Sequence, residues 1–175
     1  MRHTQSIGNE KKMLDSRLDY GLSEKGKMQA NDLASALEKY KFDVIIVSPL
    51  KRTQETIKPF LQKHHLKVIV SDLALERDGG VFTGKNQDAI KEFCEKNSLE
   101  RVSFRPERGE SILDVFERAK KFVKYLKENY KDENILIVGH KNFLMCLEIA
   151  ITRKDIMEYY SYKPLDSAEI RESHL

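Results

Sequence analysis

At 175 residues, with 31 Lys+Arg against 28 Asp+Glu, a formal net charge of +3 and 40% hydrophobic residues, the chain has the size of one globular domain and enough apolar material for a core. That balance argues against intrinsic disorder, and a cationic excess so small and so dispersed argues against nucleic acid as a partner while suiting a small anion. No apolar run approaches the roughly 18 residues of a membrane span and the opening residues have no signal-peptide pattern, so the chain reads as one cytoplasmic domain over 1–175.

Arg2-His3 opens the chain with no strand ahead of it. Ser23 is placed as an N-cap, and Met28, Leu33, Leu37 and Tyr40 recur at near-helical spacing, which predicts a helix over about 23 to 40. Asp43-Val44-Ile45-Ile46-Val47 is the pattern of a strand buried on both faces, ending at Ser48-Pro49. Thr53, Ile57, Phe60 and Leu61 suggest a helix, and Lys67-Val68-Ile69-Val70 a short strand. A loop from Ser71 to Lys85 follows, then a short helix marked by Ile90, Phe93 and Cys94. From Glu110 to Tyr130 one apolar stripe gives the strongest helical signal. Asn134-Ile135-Leu136-Ile137-Val138 is a second apolar strand, broken by Gly139-His140, and Phe143, Leu144, Leu147 and Ile151 resume a helical pattern. Strands alternating with helices imply a mostly parallel sheet covered on both sides, a three-layer α/β/α sandwich. Cys94 and Cys146 lie in apolar helical patterns and read as buried free thiols in a reducing compartment, and His64-His65 as loop residues with no Cys or Glu at zinc-ligand spacing.

In open α/β sheets ligands bind at the carboxyl ends of the strands. The residues there include Arg52, Glu76 and His140, with Arg2-His3 joining them if a strand stands in front. Such a set suits phosphoryl transfer from a monoester. A neutral imidazole attacks phosphorus, two arginines and a second histidine hold the equatorial oxygens, and a carboxylic acid protonates the departing alkoxide and then takes a proton from water. No metal and no cofactor is required.

Six motifs in order resemble those of the histidine phosphatase superfamily, phosphoglycerate mutase-like, branch 1 type. They are Arg2-His3-Thr4-Gln5-Ser6-Ile7-Gly8-Asn9, Leu22-Ser23-Glu24-Lys25-Gly26, Ser48-Pro49-Leu50-Lys51-Arg52-Thr53, the loop through Glu76, Gly80 and Gly84, Gly109-Glu110-Ser111, and Ile135-Leu136-Ile137-Val138-Gly139-His140. The resemblance implies a single domain of that fold in which His3 is the phosphohistidine nucleophile and Glu76 the general acid/base. Arg2, Arg52 and His140 would clamp the phosphate of a small phosphorylated metabolite, and Asn9 would touch it or the substrate; Lys141, which departs from the family pattern, is a further candidate contact that adds positive charge at the mouth or else points to solvent. The resemblance implies a phosphomonoester hydrolase; the sequence leaves the oligomeric state open between monomer and homodimer. A bisphosphoglycerate-primed mutase is the alternative, because Glu76-Arg77 resembles the mutase pair, and a non-catalytic phosphate-binding member is another.

The departures are Thr4 where glycine is usual, Gln5 for an acidic residue and Lys141-Asn142 after His140. The family's first strand is also expected ahead of Arg2-His3, where the sequence has only Met1, and it is read as lost by a late start site or by truncation. The expectation is that Val44–Val47 and Ile135–Val138 flank a gap, that the Arg2-His3 loop is tethered on one side only, and that restoring family-like residues there raises stability and activity.

Overall fold

The computed structural model describes residues 1–175. Strand β1 (Val44–Val47) is a run of four β-branched residues, all buried, and the alternation of its side chains explains why. Val44 and Ile46 point into one hydrophobic cluster while Ile45 and Val47 point into another. A strand covered on both faces needs no polar alternation.

Around it the sheet runs β2-β1-β3, all parallel, with β2 at Lys67–Val70 and β3 at Ile135–Val138. Val44 pairs with Lys67 on one side and Ile135 on the other. Helices α2 (Glu24–Leu37) and α3 (Lys51–Leu61) pack together and supply Leu33, Leu37, Ile57 and Phe60 to the cluster on one face. On the other face α5 (Ile112–Asn129) packs against α6 (Lys141–Thr152). Ile112, Val115, Ala119, Phe122 and Leu126 form the buried stripe of α5, whose start is fixed by a capping box between Ser111 and Asp114. The expected α/β/α sandwich is therefore present, and the helix and strand positions agree with the sequence within a few residues. Cys94, in α4 (Ala89–Lys96), and Cys146 are buried and free. No helix is long and apolar enough to cross a membrane.

Three features differ from expectation. The strands β1 and β3 flank no gap, because they pair directly along their whole length. The opening residues instead lie along the far side of β3. Met1 N donates to Ile137 O (2.8 Å), Gly139 N to Met1 O (3.1 Å) and His3 N to Gly139 O (3.1 Å), which is the alternation of a parallel ladder. On its outer side Arg2 N donates to Glu169 O (3.2 Å), so the His3 loop is tethered from both sides and not from one. The sheet is open further back along β3, where a groove of about 700 Å³ runs past Met1 between Phe42, Leu126, Ile135, Ile137, Leu144 and Ile170.

Four short elements lie outside the expected pattern: helix α1 (Ile7–Glu10) and 3-10 turns at Asp72–Ala74, Gly80–Phe82 and Ile156–Ser161. The first turn of α2 is also where a loop and a helix touch. A Cβ on Gly26 would stand 1.9 Å from the carbonyl oxygen of Gln5, so only glycine lets the catalytic-side loop lie on that helix.

Candidate active site

The strands β1 and β3 end in Ser48 and Gly139-His140, and the short ladder beside them ends in Arg2-His3, so all three chain segments deliver polar groups to one edge. His3 and His140 are both buried, with ring centroids 5.2 Å apart at 60°. Burial, then the charges of Arg52 and Arg2, holds the His3 imidazole well below its ordinary range. It is therefore neutral at neutral pH. Its Nδ1 lies 2.7 Å from the carbonyl oxygen of Thr4, which can only accept, so Nδ1 carries the proton and the lone pair sits on Nε2.

His140 has the opposite tautomer. Arg52 Nε donates to its Nδ1 (3.2 Å), which leaves the proton on Nε2, 2.8 Å from Ser48 Oγ. Burial, Arg52 and His3 keep this ring neutral as well. Arg52 is almost wholly buried and also donates through Nη1 to Leu18 O (2.9 Å) and through Nη2 to Ser16 O (2.8 Å). Arg2 Nη1 donates to Leu165 O (3.0 Å), whereas its Nε is buried and finds no acceptor in the protein. A buried donor left unpaired is costly, and an incoming oxyanion would satisfy it.

Glu76, also buried, stands at the N-terminus of α6. Its Oε1 accepts from Arg77 N (2.8 Å) and Phe143 N (3.4 Å), and its Oε2 from Asn142 N (3.4 Å). The positive end of the helix thus faces a carboxylate. The same carboxylate partly offsets, for Arg2 and Arg52, the fall in pKa that burial imposes on both.

The structure brings Arg2, His3, Arg52, Glu76 and His140 to one edge, as the sequence suggested. Asn9 is used locally: its Oδ1 accepts from Ser6 N (3.2 Å) in the capping box of α1, and no bond of its amide nitrogen is formed. Lys141 is exposed at the first position of α6. Thr4 is buried with Oγ1 3.2 Å from Thr56 Oγ1, so its hydroxyl turns toward α3. Gln5 accepts from Ser23 Oγ (2.7 Å), which fixes the loop to the start of α2. Sequence reasoning missed the part played by Ser48, although it stands in the quoted Ser48-Pro49-Leu50 motif. It also missed the Ser16 and Leu18 carbonyls, which no side-chain pattern announces.

The two neutral histidines give a pH dependence of stability. In the unfolded chain each imidazole binds a proton near pH 6.5, while in the folded protein neither does until well below that value. The unfolded state then binds more protons, so stability is full above about pH 6.5 and falls as the pH drops below it. The loss is about 1.4 kcal/mol per pH unit for each ring. Urea unfolding at about pH 7.5 and about pH 5.5 is expected to differ by about 3 kcal/mol from this source, and His3→Asn, which keeps a donor to Thr4 O, is expected to halve the difference.

A family model described as the histidine phosphatase superfamily (branch 1) matches residues 1–173. Phosphoserine phosphatase 1 of Hydrogenobacter thermophilus is 30% identical over 169 residues, covering 93% of this chain and 79% of the relative. A 2,3-bisphosphoglycerate-dependent phosphoglycerate mutase of Bartonella quintana is 30% identical over 162 residues, covering 86% and 79%. Among solved structures, mycobacterial glucosyl-3-phosphoglycerate phosphatase in complex with VO3 superposes with a TM-score of 0.84 at 24% identity, over 95% of this chain and 87% of that one. The alpha-ribazole phosphatase of Shigella flexneri superposes with a TM-score of 0.83 at 24% identity, over 96% and 85%. At that identity the two structures speak for the fold.

Proposed function

Because the chain belongs to branch 1 of the histidine phosphatase superfamily, we propose that it is a phosphomonoester hydrolase working through a phosphohistidine on His3, with Glu76 as general acid and base. The observation that carries this reading is the state of His3: a neutral ring, its Nδ1 proton given to Thr4 O, with a free lone pair on Nε2 in the field of two guanidinium groups.

The steps follow from those groups. The phosphate of a small metabolite enters against Arg2, whose Nε is waiting for an acceptor, and against the N–H bonds of Arg52 that the protein leaves unused. Nε2 of His3 attacks phosphorus as the ester oxygen departs, and Glu76 in its acid form gives that oxygen a proton. The alcohol leaves. Water then attacks the phosphohistidine while the Glu76 carboxylate takes its proton, the N–P bond breaks, and phosphate departs. Thr4 O, facing the Nδ1 proton throughout, favours the positive charge that the ring acquires when Nε2 is phosphorylated. Lys141 and Asn9 are assigned to the far side of the substrate. The buried free thiols fit a reducing, cytoplasmic compartment.

The mutase reading is supported by several relatives that carry the mutase name, among them the one from Bartonella quintana. Against it stands Arg77, the second residue of the mutase-like pair. Its guanidinium is anchored through Nε to the carbonyl of Glu110 (2.8 Å) and through Nη2 to that of Phe104 (3.1 Å), which ties it to the loop ahead of α5.

The test is to follow product and leaving group together. The wild-type protein is expected to release phosphate from both aryl and alkyl esters and to leave 3-phosphoglycerate uninterconverted when primed with the bisphosphate. Glu76→Gln is expected to lose about 10²- to 10⁴-fold on an alkyl phosphate and much less when an aryl phosphate is the phosphoryl donor in the first step. Primed interconversion faster than phosphate release would replace the hydrolase reading by the mutase.

A further inference from the structure

The segment Ser16–Leu18 stands between the two halves of this site. On one side its carbonyls at Ser16 and Leu18 are held by Arg52 (2.8 and 2.9 Å). Between them Arg17 sends its side chain the other way. Arg17 Nε donates to the carbonyl oxygen of Glu76 (3.3 Å), Nη2 lies 2.9 Å from Glu110 Oε1, and Nη1 lies 3.7 Å from Asp78 Oδ2. Ser16 Oγ strengthens the same junction by accepting from Gly79 N (2.7 Å).

Glu110 is in turn built into the loop that carries Glu76. Its N donates to Asp78 O (2.9 Å), its Oε2 accepts from Asp78 N (3.0 Å), and the same oxygen is 2.9 Å from Arg118 Nη2. Arg118 Nη1 adds bonds to the carbonyls of Leu73 (3.0 Å) and Leu75 (2.7 Å). A guanidinium that only paired with carboxylates at a surface would contribute little. Arg17 differs because it also bonds the backbone of Glu76 itself, and the next carbonyls of its own segment are those that Arg52 grips.

We propose that Arg17 is a positioning residue: it spans from the arginine that holds the phosphate to the loop that carries the acid, and so sets where the Glu76 carboxyl stands relative to the departing oxygen, with Glu110 as its anchor. This rests on the hydrolase reading above. A proton donor misplaced by about 1 Å loses its advantage, while binding of the phosphate is little changed. The loss then scales with how much the leaving group needs a proton. An alkoxide needs one, and a nitrophenolate hardly does.

The experiment compares kcat/KM, which in a two-step covalent mechanism reports the phosphorylation step and not the shared hydrolysis, on p-nitrophenyl phosphate and on glycerol 2-phosphate for the wild type, Arg17→Met and Arg17→Lys, with the unfolding midpoint measured for each. Arg17→Met is expected to lose at least about tenfold more on the alkyl ester than on the aryl ester, and Arg17→Lys, which keeps the charge without the fork, to recover part of it. In a Glu76→Gln background Arg17→Met is expected to add no further loss on the alkyl ester, since the residue acts through Glu76. Equal losses on the two esters, or a full additional loss in that background, overturns the proposal. Should Arg17→Met not fold, Glu110→Gln is read in the same way. If Glu76→Gln itself fails to distinguish the esters, the failure is that of the acid assignment; if it distinguishes them and the Arg17 variants do not, the failure is that of Arg17 alone.

Discussion

His3→Ala is expected to fold and to lose phosphate release by on the order of 10⁴-fold or more, the largest single effect in the molecule. Its fold is preserved because the loop is held by backbone bonds, His3 N to Gly139 O and Arg2 N to Glu169 O, that a side-chain change leaves in place. No neighbour can replace the lost nucleophile. Nδ1 of His140 is occupied as an acceptor for Arg52 Nε, and its Nε2 carries a proton directed at Ser48 Oγ. Phosphate release from an aryl ester, measured beside the unfolding midpoint, checks this. Activity within tenfold of the wild type would mean that another group attacks phosphorus.

Arg52→Met is expected to damage stability and activity together. The guanidinium is almost wholly buried and ties three segments to one another, through Ser16 O, Leu18 O and His140 Nδ1. It is also the cation that faces Glu76 and Asp15, both buried carboxylates. Removing one partner of a buried charge cluster strands the others, and the expected loss is about 3 to 5 kcal/mol in urea unfolding. With the clamp gone, kcat/KM is expected to fall by about 10² to 10³, the size seen when a donor to developing negative charge is deleted. Arg52→Lys keeps the charge but cannot reach three acceptors in one plane, so it is expected to recover stability in part and activity very little. A stable Arg52→Met protein would show that the carbonyls at Ser16 and Leu18 do not depend on it.

Much of this architecture is legible in the chain because the signals are strong and local. The β-branched runs at Val44–Val47 and Ile135–Val138 have no other stable home than a sheet covered on both faces, and the stripe from Ile112 to Leu126 has no period but the helical one. The residues after those runs then point to the site by position alone. What escaped the sequence is of another kind. The short helix Ile7–Glu10 depends on a capping box, Ser6 with Asn9, that a four-residue element makes too brief for any periodicity to show. The gap expected between β1 and β3 was misplaced because strand order is a property of crossovers, and an apolar run does not announce its neighbours. The tautomers of His3 and His140 are set by a carbonyl at Thr4 and a guanidinium at Arg52, contacts that exist only after folding. Arg17 looks in the sequence like an ordinary charge, and Glu110 like part of a motif that only opens a helix. Only the folded loop shows that one reaches the backbone of Glu76 and the other fastens Asp78 at both its N–H and its carbonyl.

The proposed reaction passes through a covalent phosphohistidine, and Glu76→Gln offers the means to see it. With an aryl phosphate the first step needs no proton donor, whereas the second needs a base to activate water, so this variant is expected to load and then stall. Mixing it with p-nitrophenyl phosphate, quenching without acid and locating the phosphoryl group by mass spectrometry is the most direct test. The predicted result is one phosphoryl group on His3, formed as fast as nitrophenolate appears and absent in the variant that also carries His3→Ala. A phosphoryl group on any other residue, or nitrophenolate released in many turnovers with the protein never phosphorylated, would contradict it.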